Sequence, residues 1–212
     1  MSIEVLGISG SPTKNSNTDR AIKAILDETG AKSEFVKLSD INVRPCRVCY
    51  RCIHDNICKV DDDFPALAEK IKTAKALVIG GYIPYSQIDG YTKALLERFW
   101  SLRHQENCLK GKLVVTVLTG LDPEALASVN QSLANEMKVY ENMDLLGQIT
   151  IQGNIVCAFC GKGDDCEMST FKTDLLDTSI KACDFKYNKV EDQKEVWEDA
   201  MRIGRLMGAR LK

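Results

Sequence analysis

Several features that would point to a function are missing from this chain of 212 residues. Its longest apolar runs have the length of a β-strand, whereas a membrane-spanning helix needs roughly 20 apolar residues. The net charge of −2 is too small to predict a nucleic acid or an anionic membrane as partner. The N-terminal stretch MSIEVLGISGSP has neither the basic start nor the cleavage site of a signal peptide. These absences predict a cytoplasmic protein.

Side chains that commonly carry out catalysis are also scarce. His54 and His104 are the only histidines, and no serine–histidine–aspartate set or pair of catalytic carboxylates stands out. His54 is expected to face solvent, and His104 to lie at the end of a helix, where a cation is favourable. Cysteine, by contrast, is abundant, with nine in the chain. Because cytoplasmic thiols stay reduced, an odd number of cysteines indicates metal ligands or redox groups rather than disulfides.

The apolar pattern alternates between short buried runs and segments with helical periodicity. The runs predict strands at 3–9, 33–38, 76–82, 112–120 and within 145–157. The periodic segments predict helices at 18–30, 64–74, 91–103, about 123–142 and about 191–210. This alternation is typical of an α/β protein. We therefore expect a single flavodoxin-like domain over 1–212, with a doubly wound sheet of five parallel strands and a cysteine-rich loop, 45–60, inserted after strand 2.

Ligands of such sheets bind at the carboxyl ends of the strands, so the loop after the first strand is a candidate site. Its sequence, SGSPTKNSNT, leads directly into a helix, whose N-terminal end attracts anions. The loop is neither a Walker A motif nor GxGxxG, and its many hydroxyls suit the phosphate of FMN. The candidate ligands are Ser9, Ser11, Pro12, Thr13, Ser16, Asn17 and Thr18. The alternative is a plain capping box of Ser16 and Asp19, which leaves the earlier serines unexplained.

This loop resembles the phosphate loop of NAD(P)H-dependent FMN reductases, in which GSP is followed closely by SNT. The segment GGYIPYSQIDGYTKALLERF, 80–99, continues the resemblance, and Lys93, Glu97 and Arg98 match the family's helix. The resemblance implies that the flavin ring is wrapped by Tyr82, Ile83, Pro84, Tyr85 and Ser86. It also places a third flavin loop at Thr119 and Gly120. FMN is the cofactor that it implies.

Four cysteines lie in the short stretch PCRVCYRCIHDNIC, with the spacing C-x2-C-x2-C-x5-C. Compact runs of this kind bind iron–sulfur clusters. Zinc is the alternative, although its usual pattern is two separated CxxC pairs, and a site without metal is the third reading. The candidate ligands are Cys46, Cys49, Cys52 and Cys58.

The same spacing at the same place resembles the iron–sulfur flavoproteins, a branch of the FMN reductase family. Members carry one [4Fe–4S] cluster and one FMN per chain and form homodimers or homotetramers. The resemblance implies an oxidoreductase that takes electrons from ferredoxin or NAD(P)H and passes them to an acceptor. Two other functions stay open: an NAD(P)H-dependent flavin or quinone reductase with structural zinc, and a redox- or metal-sensing protein without turnover.

A second set of cysteines, Cys157, Cys160 and Cys166, occurs in CAFCGKGDDC. The CxxC could be a dithiol redox pair, part of a second metal site, or one half of a zinc site shared with the first segment. It could also consist of buried thiols that close a tight glycine turn at Gly161 and Gly163. Cys108 and Cys183 stand alone and are expected to be packing residues.

Overall fold

A five-stranded sheet organises the computed structural model, which describes residues 3–173 and 181–212. The strands are β1 Val5–Ser9, β2 Ser33–Lys37, β3 Ala76–Tyr82, β4 Leu113–Gly120 and β5 Asp144–Gln152. All pairings are parallel, and the order is β2-β1-β3-β4-β5. This is the flavodoxin order, so the predicted fold class is confirmed. The cysteine-rich loop follows β2, as expected.

Five helices connect the strands or follow them. They are α1 Asn17–Thr29, α2 Phe64–Thr73, α3 Gly90–Phe99, α4 Pro123–Asn135 and α5 Lys194–Leu211. Helix α1 ends at Gly30, whose φ of 62° is left-handed and therefore suits glycine. Two predicted helices were too long: α3 gives way to a 3-10 turn at Trp100–Leu102, and α4 to a π-helical turn at Glu136–Tyr140.

Helices cover both faces of the sheet. Successive strand residues point to opposite faces, and the apolar side chains on each face pack against helices. Val78 packs with α1 and α5 on one face, in a cluster that includes Ile25 and Met207. Its neighbour Leu77 packs on the other face, in a cluster that includes Phe64 of α2. Both faces of the sheet are therefore covered by helices. A ligand site has to lie at an end of the strands. None of the helices in the described ranges has the length and apolarity to cross a membrane.

Candidate functional site

Loops from three strands meet at the carboxyl edge of the sheet. The hydroxyl of Thr18, in the first turn of α1, lies 2.9 Å from the Thr119 hydroxyl near the end of β4. The same hydroxyl donates to the carbonyl oxygen of Gly81 in β3 at 3.3 Å. The Ile83 N–H donates to the Thr119 carbonyl oxygen at 3.0 Å. The three predicted flavin loops are therefore brought together at one edge.

The first loop is held by its own hydroxyls. Ser16 caps α1, and both hydrogen bonds of the predicted capping box with Asp19 are present. The Ser9 hydroxyl also donates to Oδ1 of Asp19, at 2.6 Å, and the Ser11 N–H donates to the Ser9 hydroxyl. Lys37 completes this network, since its Nζ lies 2.6 Å from Oδ2 of Asp19 and 2.9 Å from the Thr13 carbonyl oxygen. The capping interpretation thus accounts for Ser9 as well as Ser16.

Asn17 is tied to a distant part of the chain. Its side-chain amide donates to the Asn188 carbonyl oxygen at 2.8 Å, and its Oδ1 accepts the Val190 N–H at 3.1 Å. Arg20 adds an ion pair to Glu191 at 2.6 Å. The segment before α5 therefore packs against the start of α1. The sequence contains no local signal for this contact, because the partners are 171 or more positions apart.

An anion at this loop would meet backbone groups and one hydroxyl rather than a ring of free side chains. The N–H groups of Asn17 and Thr18 have no partner within the helix, because they belong to its first turn. Ser11 is buried, while Pro12 and Thr13 are exposed. The charge of Lys37 is paired with Asp19 at 2.6 Å. The free N–H groups and the Ser11 hydroxyl fit a phosphate. That all seven residues bind it stays a prediction.

The second loop exposes an aromatic ring at the same edge. Tyr85 is 101% exposed, so its ring is not packed against the rest of the described structure. Its φ of 50° and the φ of 57° at Ser86 are both left-handed, a conformation that costs free energy in residues other than glycine. Tyr82, Ile83 and Pro84 are half-buried. The loop therefore holds a strained turn that presents the Tyr85 ring to whatever binds at the edge.

Asp89 fixes the base of this loop, a role that the sequence analysis missed. Its carboxylate is buried and accepts the N–H groups of Tyr82 at 3.1 Å and Thr92 at 2.8 Å, and the Thr92 hydroxyl at 2.8 Å. Burial raises the pKa of this carboxyl, although the three hydrogen bonds oppose the shift. A side chain at Gly81 would collide with the carboxylate. The signal that could have revealed it is an aspartate directly before a helix.

The cysteine segment surrounds a cavity of about 360 Å³. All four predicted ligands line this cavity: Cys46, Cys49, Cys52 and Cys58. Left-handed backbone at Val48 and Tyr50 bends the chain between them. Burial raises the pKa of the Cys52 thiol, and the charges of the other three thiols raise it further. In the described ranges, however, no three histidine, cysteine, aspartate or glutamate side chains are close enough to hold a single metal ion.

Arg98 of α3 anchors both ends of the cysteine segment. Its guanidinium forms a two-pronged ion pair with Asp62, at 2.6 and 3.1 Å, and donates to the Arg44 carbonyl oxygen at 2.8 Å. The side chains of both partners in this pair are fully buried. Burial would lower the pKa of Arg98, but its contacts with Asp62 and Cys58 outweigh burial and raise it. The neighbouring Glu97 accepts the Cys46 N–H at 3.2 Å. Glu97 and Arg98, which match the FMN reductase family on α3, thus hold the cysteine segment and its ends in place.

Asn56 attaches the middle of the segment to the loop after α3. Its amide donates to the Glu106 carbonyl oxygen at 2.7 Å and accepts the N–H groups of His104 at 2.9 Å and Gln105 at 3.0 Å. The prediction that His104 lies at the end of a helix is wrong, because α3 ends at Phe99 and the 3-10 turn at Leu102. His104 lines the cysteine cavity instead. His54 is exposed, which confirms its solvent-facing position. Sequence reasoning did not identify the anchoring roles of Asn56, Asp62 and Arg98.

The second cysteine set is more accessible than the buried-thiol interpretation requires. Cys160 is exposed, and Cys157 and Cys166 are half-buried. Cys183 is also exposed, so the prediction that it is a packing residue is wrong. Cys108 packs at the margin of the apolar core, as predicted.

Comparison with known proteins agrees with this geometry. Residues 3–154 match the family model described as NADPH-dependent FMN reductase. An iron–sulfur flavoprotein of Methanosarcina thermophila is 31% identical over 121 residues, which cover 56% of this chain and 63% of the relative. One from Methanocaldococcus jannaschii is 31% identical over 104 residues, or 48% of this chain and 54% of the relative. The chain thus aligns with little more than half the length of these curated relatives.

A solved structure supports the fold alone. The Trp repressor binding protein of Bacillus subtilis superposes with a TM-score of 0.62 and 14% identity, over 94% of this chain and 98% of that protein. At this identity the similarity extends to the flavodoxin-like architecture and not to a shared ligand. Because the family model matches more than half of the chain, we conclude that this chain belongs to the NADPH-dependent FMN reductase family.

Proposed function

We propose that this protein is a flavin-dependent oxidoreductase that passes electrons between a reduced donor and an acceptor through FMN and a [4Fe–4S] cluster. The donor would be ferredoxin or NAD(P)H, and the protein would act as a homodimer or homotetramer. The observation that carries the proposal is the cavity lined by all four cysteines of one short segment. Membership of the FMN reductase family and the names of the relatives support it.

The cysteine cavity suits a cluster better than a single ion. A tetrahedral zinc site needs sulfurs at about 2.3 Å from one centre. In the described part of the chain no group of three candidate ligands is arranged to hold a single ion. A cluster is larger, and its irons take one thiolate each. The backbone and guanidinium of Arg51 lower the pKa of the Cys49 thiol, which favours the thiolate form.

Two buried nitrogens near the thiols also point to an acceptor-rich group. Nε of Arg98 and Nε2 of His104 are buried without a hydrogen-bond partner among the described residues, and both side chains line the cavity. A buried donor without a partner costs about 1–3 kcal/mol. Thiolate and sulfide sulfurs would accept a hydrogen bond from Nε–H of Arg98, and from His104 in the tautomer that carries its proton on Nε2. The cavity therefore fits an iron–sulfur cluster ligated by Cys46, Cys49, Cys52 and Cys58.

The flavin site would lie at the carboxyl edge of the sheet. Ser11 and the first N–H groups of α1 would hold the phosphate. Tyr82 to Ser86, with Thr119 and Gly120, would flank the ring, and the exposed Tyr85 would lie against it. When bound, FMN exchanges hydride and single electrons, whereas the cluster carries one electron at a time. The protein supplies position: Asp89 fixes the ring loop, and Arg98 fixes the cysteine segment.

The test is to purify the protein without oxygen and to measure its iron, zinc and flavin. We expect near four irons per chain, as for a [4Fe–4S] centre, and heat-released flavin that elutes as FMN. Zinc without iron would favour a reductase with a structural metal site. A metal-free protein without flavin would contradict the proposal and favour a sensing role.

Two cysteine variants assign the ligands. Cys49→Ala should lose the cluster and slow electron transfer to one-electron acceptors, but it should keep FMN, because the flavin loops lie on other segments. Cys160→Ala is the matched control and should keep both iron and flavin. Loss of iron in Cys160→Ala but not in Cys52→Ala would mean that the metal is bound by a CxxC pair from each cysteine segment. The proposed electron transfer through FMN and a cluster would then be wrong.

A further inference from the structure

Cys157 and Cys160 form a thiol pair that the proposed function does not use. Neither residue lines the cavity of the first cysteine segment. The pair follows β5, and the chain leaves that strand at Gly153, whose N–H donates to the Gly120 carbonyl oxygen at 2.7 Å. Cys157 packs at the margin of a small apolar cluster built around Ile155 and Phe171. The pair therefore has a defined place beside the loop that follows β4.

The sulfur of Cys157 is held by hydrogen bonds. The Thr170 N–H donates to Cys157 Sγ at 3.4 Å, and the Thr170 hydroxyl lies 3.6 Å from the same sulfur. These contacts with the backbone and side chain of Thr170 lower the pKa of the Cys157 thiol. Thr170 itself is fixed, because it begins a short 3-10 turn that Ser169 caps. Hydrogen bonds of this kind make a thiol a better nucleophile at neutral pH.

Cys160 lies within reach of Cys157 and is open to solvent. Its Sγ is 3.3 Å from the Cys157 carbonyl oxygen, and the residue is exposed. Gly161 follows with a left-handed φ of 76°, which turns the chain back. A side chain at Gly163 would collide with the Cys157 carbonyl oxygen, so the turn is packed closely against the first cysteine. The Cys160 thiol therefore lies against the backbone of Cys157 in a closely packed turn, in which the Cys157 sulfur is held by hydrogen bonds and Cys160 is accessible to solvent.

We propose that Cys157 and Cys160 are a redox-active dithiol that reduces low-molecular-weight disulfides by thiol–disulfide exchange. The Cys157 thiolate attacks one sulfur of the disulfide, which breaks the S–S bond and releases one thiolate. The Cys160 thiolate then attacks Sγ of Cys157, closes the intramolecular disulfide and releases the second thiolate. The two protons lost by the cysteines end on the two released thiols. The protein pair is oxidised, and the external disulfide is reduced.

The chain offers a direct assay, because the tryptic peptide 139–162 contains these two cysteines and no others. The intact, anaerobically purified protein is treated with hydroxyethyl disulfide, quenched in acid, alkylated and digested. We expect peptide 139–162 to lose two hydrogens and to carry neither alkyl group nor adduct, and a dithiol to restore alkylation. Cys166 and Cys183 lie in separate peptides, 163–172 and 182–186, and should carry only adducts or alkyl groups.

Variants test the order of the steps. Cys160→Ser should trap the hydroxyethyl adduct on Cys157, because no second thiol remains to release it. Thr170→Val removes only the hydroxyl contact and should move the pH profile of Cys157 alkylation to higher pH, with Cys183 as internal reference. Adducts on both cysteines of the wild-type protein without disulfide closure would overturn the proposal. So would a Cys157 that reacts more slowly than Cys183 in wild type and in Cys160→Ser.

Discussion

Replacement of Arg98 by methionine should loosen the whole cysteine segment. In the native protein the guanidinium donates twice to Asp62 and once to the Arg44 carbonyl oxygen, and the side chains of Arg98 and Asp62 are both 0% exposed. Methionine keeps much of the length of the side chain but has no donor. The buried carboxylate of Asp62 would then keep the N–H groups of Arg44 and Phe64 and, at the longer distance of 3.8 Å, Nε of the partly exposed Arg44 guanidinium.

The magnitude follows from this burial. Loss of one partner of a buried ion pair costs about 3–5 kcal/mol, because an uncompensated charge stays in the interior. That is a large part of the 5–15 kcal/mol that is typical of a whole domain. The exposed pair of Arg202 and Asp199 is the matched control, since its side chains are 61% and 57% exposed. Arg202→Met should cost about 0–1 kcal/mol.

Urea unfolding gives the free energy, and limited trypsin digestion reports on the segment through Arg47 and Arg51. In Arg98→Met we expect cleavage at these two sites to be faster, while Arg202→Met should be cut like the wild type. The double variant Arg98→Met with Asp62→Leu should recover part of the lost stability, because it no longer buries a charge. A loss below about 1 kcal/mol in Arg98→Met would refute the reasoning and show that water reaches the pair.

The remaining predictions concern three other residues. Burial raises the pKa of Glu141 from 4.5 to about 7. The stability that this group contributes is therefore complete below pH 4.5 and is lost as the pH rises through about 7, a loss of about 3 kcal/mol. Urea titrations across that pH range should show the loss in the wild type but not in Glu141→Gln. Asn56→Ala removes four side-chain hydrogen bonds, the weakest of them to Cys108 Sγ, and should cost about 2–4 kcal/mol by the same assay. A loss below about 1 kcal/mol would mean that the segment is held without it. Ser11→Ala should weaken FMN binding about tenfold in a fluorescence titration, because it removes the one hydroxyl expected to donate to the phosphate, and unchanged affinity would place the phosphate elsewhere.

Local sequence determined the elements and hence the fold. Strand β3 has its predicted bounds, 76–82, because an apolar run of that length between turn signals has few alternatives. Alternation of strands and helices then predicted the parallel sheet, and parallel strands bring their carboxyl ends to one edge. This rule pointed to the loop after β1, and the resemblance to FMN reductases pointed to the other two predicted flavin loops. The spacing of the first four cysteines likewise indicated a common site, because they are near neighbours along the chain.

Only the tertiary structure decided how those segments are held. Asn17 lies 171 positions from Asn188, and Asn56 lies 48 from His104, so neither contact leaves a pattern in a short window of sequence. Arg98 and Asp62 are 36 positions apart, and each has an ordinary local explanation on its helix. What makes them a pair is the path of the chain, which buries both charges and leaves each as the other's main compensation.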